Sequence, residues 1–212
     1  LITDLDNTLW DWVSAWHRSF SALLAGVSEL SGISQSQLES EIRPIHQARG
    51  TTEYSNLLEE IPSLVKYSAP LRPYEVFSEP LHRFRSLRRT ATLLYPGVRE
   101  ALLLLKDAGV RVVAYTESGA YWTGWRIRHT GLDGVIDVLY SAEDHPLPDG
   151  MTVQDLRTGH QPPEAYSFET TVHHHTPAGE LKPSRRILES ILADQGVLPR
   201  EAVYLGDSLM KD

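Results

Sequence analysis

The amino-acid sequence predicts an α/β protein with a doubly wound parallel sheet and a separate helical domain inserted after the first strand. Strand-like and helix-like segments alternate from residue 93 onward, which is typical of a parallel sheet with crossover helices. The first and second predicted strands are separated by far more than the roughly 30 residues that a strand–helix–strand step requires. We therefore predict a helical domain at 11–92 and a core formed by 1–10 and 93–212.

The helical domain is predicted from apolar residues that recur at three- and four-residue spacings. The first apolar face comprises Trp12, Trp16, Phe20, Leu23, Leu24 and Val27. Its helix is expected to end near Gly26. Ser34 and Gln37 predict a capping box before a second helix, and a third helix is expected over 53–60, ended by Pro62. Residues 11–92 are thus predicted to be almost entirely helical.

The core is predicted from buried-type strands separated by amphipathic helices. The strands are expected at 1–5, 110–115, 135–139 and 202–205, with a further small strand at 168–172. The helices are expected at 98–108, 124–130 and 187–195. Residues 145–180 contain a polar stretch rich in proline and glycine, which is longer than a connection needs to be. Two interpretations stay open for this insertion: a flap over a cleft, or a hairpin that contacts another protein.

Composition excludes several classes of function. A formal net charge of −8 and a pI of about 5.6 argue against a nucleic-acid partner. No apolar run approaches the roughly 18–20 residues that span a bilayer, so no membrane partner is expected. The chain has no cysteine, which excludes thiolate chemistry and agrees with a cytoplasmic location. It begins at Leu1 inside a predicted strand and stops at Asp212 directly after a motif, so we expect a truncation at both ends.

Polar side chains follow the predicted strands at their carboxyl ends. They are Asp4, Asp6 and Thr8 after the first strand, Thr116 after the second, Glu143 and Asp144 after the third, and Asp207 after the fourth, with Lys182 before the last helix. In an open parallel sheet the carboxyl ends share one edge, where ligands collect. Clustered carboxylates repel one another without a cation, and oxygen-rich sites suit Mg²⁺.

These residue types support phosphoryl-transfer chemistry. A carboxylate can attack phosphorus and form an acyl phosphate, which water then opens. A second carboxylate can protonate the leaving oxygen and afterwards deprotonate that water. The Thr116 hydroxyl and the Lys182 ammonium would neutralise the oxygens of the transferring group.

The same residues resemble the signatures of the haloacid dehalogenase-like superfamily. The run Asp4-Leu5-Asp6-Asn7-Thr8 resembles the first signature, Thr116 the second, Lys182-Pro183 the third, and Gly206-Asp207-Ser208-Leu209-Met210-Lys211-Asp212 the fourth. The four occur in the family's order and extend along the whole chain. The resemblance implies a Rossmann-like core, with residues 11–92 forming a helical cap.

The resemblance also implies roles for individual residues. Asp4 would be the nucleophile and Asp6 the general acid and base. Mg²⁺ would be bound by Asp4, by the backbone carbonyl of Asp6 and by Asp207, with Asp212 near the metal either as a direct ligand or through water. Thr116, Lys182 and the backbone N–H of Glu117 would bind the substrate phosphate. The Glu117 carboxylate departs from the pattern, because family members often carry a small or amide residue at this position.

The implied reaction is hydrolysis of a small phosphorylated metabolite through an aspartyl-phosphate intermediate. The dehalogenase branch of the family lacks the second carboxylate, because a halide leaving group needs no proton, so Asp6 points to phosphate. A cap of this size should exclude macromolecules. Two alternatives stay open: a phosphotransferase such as a sugar phosphomutase, and a catalytically silent binding protein, which Glu117 would favour.

Three weaker signals carry a structural and a functional interpretation each. The histidine run 173–175 is expected in a solvated loop, with a transition-metal site as the alternative. The arginines of 83–89 are expected to face solvent, with recognition of an anionic substrate tail as the alternative. The aromatic residues of 121–125 are expected to pack a helix on the sheet, with stacking on a substrate ring as the alternative.

Overall fold

The computed structural model describes residues 1–144 and 167–212, which divide into two compact units. The core unit comprises Leu1–Trp12 and Thr92–Asp212, and the helical unit comprises Val13–Ala91. The predicted insertion therefore lies partly outside the described residues, since 145–166 are not among them. Within the described ranges, no helix combines the length and apolarity that a membrane crossing requires.

Within the described residues, the core unit contains five strands, which form one sheet. They are β1 (Ile2–Thr3), β2 (Val113–Gly119), β3 (Val138–Ala142), β4 (Val172–His175) and β5 (Tyr204–Leu205). The sheet has the order β4-β3-β2-β1-β5, and every pairing is parallel. Ile2 pairs with Val113 on one side and with Tyr204 on the other, so β1 lies inside the sheet. The predicted α/β fold with a parallel sheet is confirmed.

Apolar side chains cover both faces of this sheet. Alternate residues of a strand point to opposite faces. Accordingly, Val113 and Tyr115 of β2 pack with Ile187 and Ile191 of the last helix, whereas Ala114 belongs to a second cluster. That second cluster also contains Leu102, Ile127, Leu132 and Leu139. Helices on both faces explain why the strands are buried-type runs without polar alternation.

The helices follow in chain order. The helical unit contains α1 (Trp12–Ser31), α2 (Gln35–Arg49), α3 (Leu57–Glu60), α4 (Pro62–Ser68), α5 (Pro73–Val76) and α6 (Ser78–Ala91). The core unit contains α7 (Val98–Asp107), α8 (Ala120–His129), α9 (Arg185–Gln195) and a short 3₁₀ turn at Pro199–Glu201. Ser34 caps α2 by accepting a hydrogen bond from Gln37 N at 3.3 Å, as the sequence predicts. Gly196 caps α9 in the left-handed conformation, also as predicted.

Two boundaries in the helical unit differ from the prediction. The first helix does not end near Gly26 but continues to Ser31, because Gly26 is a packing position: a Cβ there would lie 3.2 Å from Pro80. Pro62 does not only end a helix. It also begins α4, where its missing N–H needs no partner.

The strands of the core unit begin later than predicted. Apolar residues that precede β2 and β3, such as Val112 and Ile136, are buried in loops rather than in the ladder. Val112 N donates to Asp137 Oδ2 at 2.7 Å instead of pairing with a neighbouring strand. Thr116 and Glu117 consequently lie within β2 rather than after it. The small strand predicted at 168–172 is also displaced, because backbone N–H groups of residues 169–171 donate to the Asp133 carboxylate.

The histidine run does not form a solvated loop; it forms β4 at the edge of the sheet. The rings of His173 and His175 lie on one face with centroids 4.8 Å apart, while His174 stacks on Tyr140. His173 Nε2 shares a 2.8 Å hydrogen bond with the Ser141 hydroxyl. Burial, followed by the neighbouring imidazoles, lowers the pKa of His173 to about 4.

The arginines of 83–89 do not all face solvent. Arg88 is buried and forms an ion pair with Glu53, whereas Arg83, Arg85 and Arg89 are exposed. The aromatic side chains of 121–125 are half-buried and contact one another edge to face along α8.

Candidate active site

The site begins where β1 ends and the chain turns. Asp4 N donates to Leu205 O at 2.7 Å, which is the last sheet-like bond before the turn. Asn7 adopts a positive φ of 62°, a conformation that asparagine tolerates better than most residues. Asn7 N donates to Trp10 O at 2.8 Å and closes the turn. The turn allows the Asp4 and Asp6 carboxylates to have separate sets of partners.

The Asp4 carboxylate is buried and fixed through both oxygens. Oδ1 accepts a hydrogen bond from Lys182 Nζ at 2.5 Å, and Oδ2 accepts one from Thr8 Oγ1 at 3.0 Å. Burial raises the pKa of Asp4 above its ordinary value, and the Lys182 ammonium opposes this effect without cancelling it. Asp4 is thus a buried, oriented carboxylate with a cation against it.

Lys182 connects Asp4 to the last residue of the chain. Its ammonium also donates to Asp212 Oδ1 at 2.9 Å and lies 4.9 Å and 5.4 Å from the ring centroids of Tyr115 and Tyr204. The Tyr204 hydroxyl donates to Asp212 Oδ1 at 2.7 Å. Burial favours the protonated form of Asp212, but the hydrogen bonds from Lys182 and Tyr204 outweigh it and lower the pKa of this carboxyl.

Asp4, Asp207 and Asp212 form an acidic cluster. One carboxylate oxygen from each residue lies within 4.8 Å of the other two. The loop that carries Asp207 and Asp212 is closed by Asp212 N, which donates to Ser208 O at 2.8 Å. Gly206 belongs to the same loop, and a Cβ there would fall on the Asp212 side chain. Three carboxylates at this separation match the oxygen-rich donor set of a divalent cation such as Mg²⁺. No other set of three acidic, histidine or cysteine side chains with this spacing occurs within residues 1–144 and 167–212.

The Asp6 carboxylate is not part of this cluster. Its Oδ1 accepts a hydrogen bond from Trp10 Nε1 at 2.7 Å, and its Oδ2 accepts one from Ser118 Oγ at 2.5 Å. Arg126, which is only 2% exposed, lies 3.3 Å from Oδ1. Burial lowers the pKa of Arg126, and the Asp6 carboxylate opposes this effect. Asp6 is therefore held by partners that differ from those of Asp4.

Three of these contact residues were missed by the sequence analysis. Trp10 lies four residues after Asp6, and a turn brings residues at this spacing together. The sequence could therefore have indicated Trp10 as a partner of Asp6. Ser118 and Arg126 lie more than 100 positions from Asp6, and their pattern gave no indication of a partner.

Thr116 and Glu117 are directed differently by β2. Thr116 is buried, and its Oγ1 accepts a hydrogen bond from Ser118 N at 3.1 Å. The Glu117 carboxylate accepts hydrogen bonds from Lys182 N and from Lys211 Nζ, both at 2.6 Å. The structure therefore brings Glu117 next to cationic and N–H donors. Asp144, by contrast, accepts a hydrogen bond from Tyr121 N at 2.8 Å and caps α8.

Many solved structures share this fold. The 2-haloacid dehalogenase from Pseudomonas syringae pv. Tomato DC3000 is 17% identical with a TM-score of 0.57, and the match covers 100% of this chain and 78% of that one. A HAD phosphatase from Thermococcus onnurineus is 19% identical with a TM-score of 0.53 and the same coverage. The putative HAD-hydrolase YfnB from Bacillus subtilis, described as bound to magnesium, is 14% identical with a TM-score of 0.50, covering 100% and 80%. At these identities the likeness establishes the fold alone.

A parallel sheet with carboxylates and a lysine clustered after its strands defines a Rossmann-like α/β protein with an acidic site. The family model of haloacid dehalogenase-like hydrolases matches residues 1–212, and the chain belongs to this family. The family predicted from the sequence motifs is thereby confirmed. Members of the family commonly use Mg²⁺. A comparison with curated proteins gives no match.

Proposed function

We propose that the protein hydrolyses a small phosphomonoester, with Asp4 as the nucleophile. The observation that carries this proposal is the second carboxylate, Asp6, which is held in place by Trp10 and Ser118. A phosphate ester leaves as an alkoxide that needs a proton, whereas a halide does not. A positioned second carboxylate therefore favours phosphate over a halogenated substrate. The fold alone does not decide this, since its neighbours include a phosphatase and a dehalogenase.

The proposed reaction has two steps. An Asp4 carboxylate oxygen attacks phosphorus, the bond between phosphorus and the ester oxygen breaks, and Asp6 gives its proton to the departing oxygen. Asp6 then takes a proton from water, whose oxygen attacks the phosphorus of the acyl phosphate and releases inorganic phosphate and free Asp4. The contacts from Thr8 and Lys182 orient Asp4 for the first step. Lys182 and Thr116 are proposed to neutralise the phosphoryl oxygens.

Mg²⁺ is the cofactor that we propose for the acidic cluster. The carboxylates of Asp4, Asp207 and Asp212 would hold it, together with the backbone carbonyl of Asp6. The spacing of the three carboxylates supports this assignment, because their oxygens lie within 4.8 Å of one another. When bound, the ion would offset the negative charge of the phosphate as it meets a site that already contains carboxylates.

We propose that the helical unit acts as a cap that limits the substrate to small phosphorylated metabolites. Its position in the chain supports this role, since Val13–Ala91 is inserted directly after the turn that carries Asp4 and Asp6. Its own apolar core, which includes Leu24, Leu38 and Phe77, supports its being a separate folding unit.

The test is hydrolysis of p-nitrophenyl phosphate by the purified protein. We expect turnover with Mg²⁺, loss of turnover with EDTA, recovery when excess Mg²⁺ is added, and loss in Asp4→Asn. Asp107→Asn is the matched control, because Asp107 is an exposed carboxylate at the end of α7. Activity that survives in Asp4→Asn would refute the mechanism.

Measurements of released phosphate and chloride distinguish the phosphatase from a phosphomutase, a silent binding protein and a dehalogenase. A phosphomutase would retain the phosphoryl group until an acceptor sugar is supplied, and a silent binding protein would release no phosphate under any condition. Chloride release from a 2-chloro acid, without phosphate release from esters, would identify a dehalogenase.

A further inference from the structure

Glu117 is the position at which the second signature departs from the family pattern, and its carboxylate has a defined target. One oxygen, Oε1, accepts a hydrogen bond from the backbone N–H of Lys182 at 2.6 Å. The other, Oε2, accepts one from Lys211 Nζ at 2.6 Å. A single side chain of β2 therefore joins two loops that approach the site from different parts of the sequence.

The contact matters because Lys182 lies outside regular structure. The segment between β4 and α9 contains no helix or strand, yet the Lys182 side chain is only 3% exposed. Lys182 is held at two points: its ammonium by Asp4 and Asp212, and its backbone by Glu117. Without Glu117, a buried N–H would lose its partner, which costs about 1–3 kcal/mol.

The second contact explains how a carboxylate is compatible with an anionic substrate here. Lys211 forms an ion pair with Glu117 and thus offsets its charge. Lys211 directly precedes Asp212 in the loop that also contains Asp207. The pair therefore links β2 to the acidic cluster as well as to Lys182.

We propose that Glu117 is a positioning residue, which fixes the backbone of Lys182 so that its ammonium stays against Asp4. This inference rests on the proposed function for its effect on turnover, but not for its effect on Lys182 itself. The role belongs to hydrogen-bond geometry rather than to charge. Glutamine at this position should therefore preserve it, since the side-chain carbonyl of glutamine accepts the same hydrogen bond.

The first readout is independent of activity. Lys182 is labelled with an N-hydroxysuccinimide ester, and its rate of modification is measured by peptide mass spectrometry. Glu117→Ala is expected to raise the rate at Lys182 about 10-fold, since a lost hydrogen bond of ~1.4 kcal/mol corresponds to that factor. Lys106, which forms an ion pair with Asp137, and the exposed Lys66 are internal controls that should not change.

The second readout is kinetic. A misplaced catalytic group lowers the rate by up to about 100-fold. We expect Glu117→Ala to lower kcat by about 10- to 100-fold, and Glu117→Gln to retain kcat within about 3-fold. A purely structural role would lower the melting temperature of Glu117→Ala without changing kcat per folded molecule.

Glu117→Asp tests the same inference if Glu117→Ala folds poorly. Aspartate keeps the charge but is one methylene shorter, so it should not reach the backbone N–H of Lys182. Lys182 should therefore be labelled faster in Glu117→Asp than in Glu117→Gln. Equal labelling of Lys182 in the wild type, Glu117→Asp and Glu117→Gln would overturn the inference. Faster labelling in Glu117→Asp, in a protein whose wild type hydrolyses no phosphoester, would uphold the positioning role and refute the proposed function instead.

Discussion

Asp6→Asn tests whether Asp6 acts as general acid and base while Asp4 acts as the nucleophile. Asparagine can still accept the hydrogen bond from Trp10 Nε1 through its carbonyl oxygen, and its amide can donate to Ser118 Oγ. These hydrogen bonds of the turn should therefore persist, but the buried Arg126 guanidinium loses its counter-charge. Activity is therefore measured per folded molecule, so that the loss reports proton transfer rather than unfolding. General acid–base catalysis contributes about 10²- to 10⁴-fold, which corresponds to roughly 3–5 kcal/mol of barrier.

The loss should depend on the leaving group, because the acid is needed in the first step and the base in the second. Nitrophenolate is a weak base and can leave without a proton, so the phosphoenzyme should still form in Asp6→Asn. Its hydrolysis should be slow, because no base activates the water. We expect a rapid burst of nitrophenol of about one equivalent per enzyme, followed by a steady-state rate about 10²-fold or more below wild type.

An alkyl phosphate should behave differently, since its alkoxide needs the proton. Asp6→Asn should therefore show no burst of the alcohol from such a substrate. The assay is rapid mixing of enzyme with excess substrate, with Asp107→Asn as the control for a general effect of removing a carboxylate. An equal loss for both leaving groups, with no burst for either, would refute the assignment of Asp6 as acid and base.

Three further predictions address the metal cluster, the buried ion pair and pH. Asp207→Asn should raise the Mg²⁺ concentration for half-maximal activity by about 10-fold or more, as measured by titration of the metal-free protein. An unchanged Mg²⁺ requirement would show that Asp207 is not a ligand. Arg126→Met should lower the free energy of unfolding by about 3 kcal/mol, because it leaves Asp6 without its buried partner. Urea denaturation of this variant, of Asp6→Asn and of the double variant should show that the two changes in unfolding free energy are not additive. Additive changes would contradict the pairing. The pKa of His173 falls from 6.5 to about 4 on folding. The contribution of neutral His173 to the free energy of unfolding is therefore complete above about pH 6.5 and is lost as the pH falls toward 4. Allowing for the partial exposure of the ring, we expect a loss of about 1 kcal/mol at about pH 5. His173→Gln should remove this part of the pH dependence in urea denaturation, and an unchanged dependence would contradict it.

The sequence predicted the parallel sheet because its buried strands and crossover helices have distinct apolar periods. It also indicated which side chains would meet, since Asp4 and Asp207 both follow strands and the carboxyl ends of parallel strands share one edge. Their convergence depends only on sheet topology, which is why the sequence links residues some two hundred positions apart.

Strand boundaries and side-chain partners could not be predicted in the same way. Val112 and Ile136 are as apolar as strand residues, but they are buried in loops, so hydrophobicity alone placed β2 and β3 too early. The hydrogen bond from Ser118 to Asp6 depends on how β2 continues beyond Tyr115, where its register with β3 shifts. The target of Glu117 likewise depends on the paths of two loops, which no local pattern specifies.

Trapping the covalent intermediate identifies directly the carboxylate that attacks phosphorus. The protein is mixed with substrate and Mg²⁺ and reduced with borohydride, which converts an acyl phosphate of aspartate to homoserine, and the peptides are sequenced by mass spectrometry. We expect homoserine at Asp4, in an amount that depends on substrate and is higher in Asp6→Asn. Reduction at another carboxylate, or turnover of substrate with no reduced residue in Asp6→Asn, would contradict it.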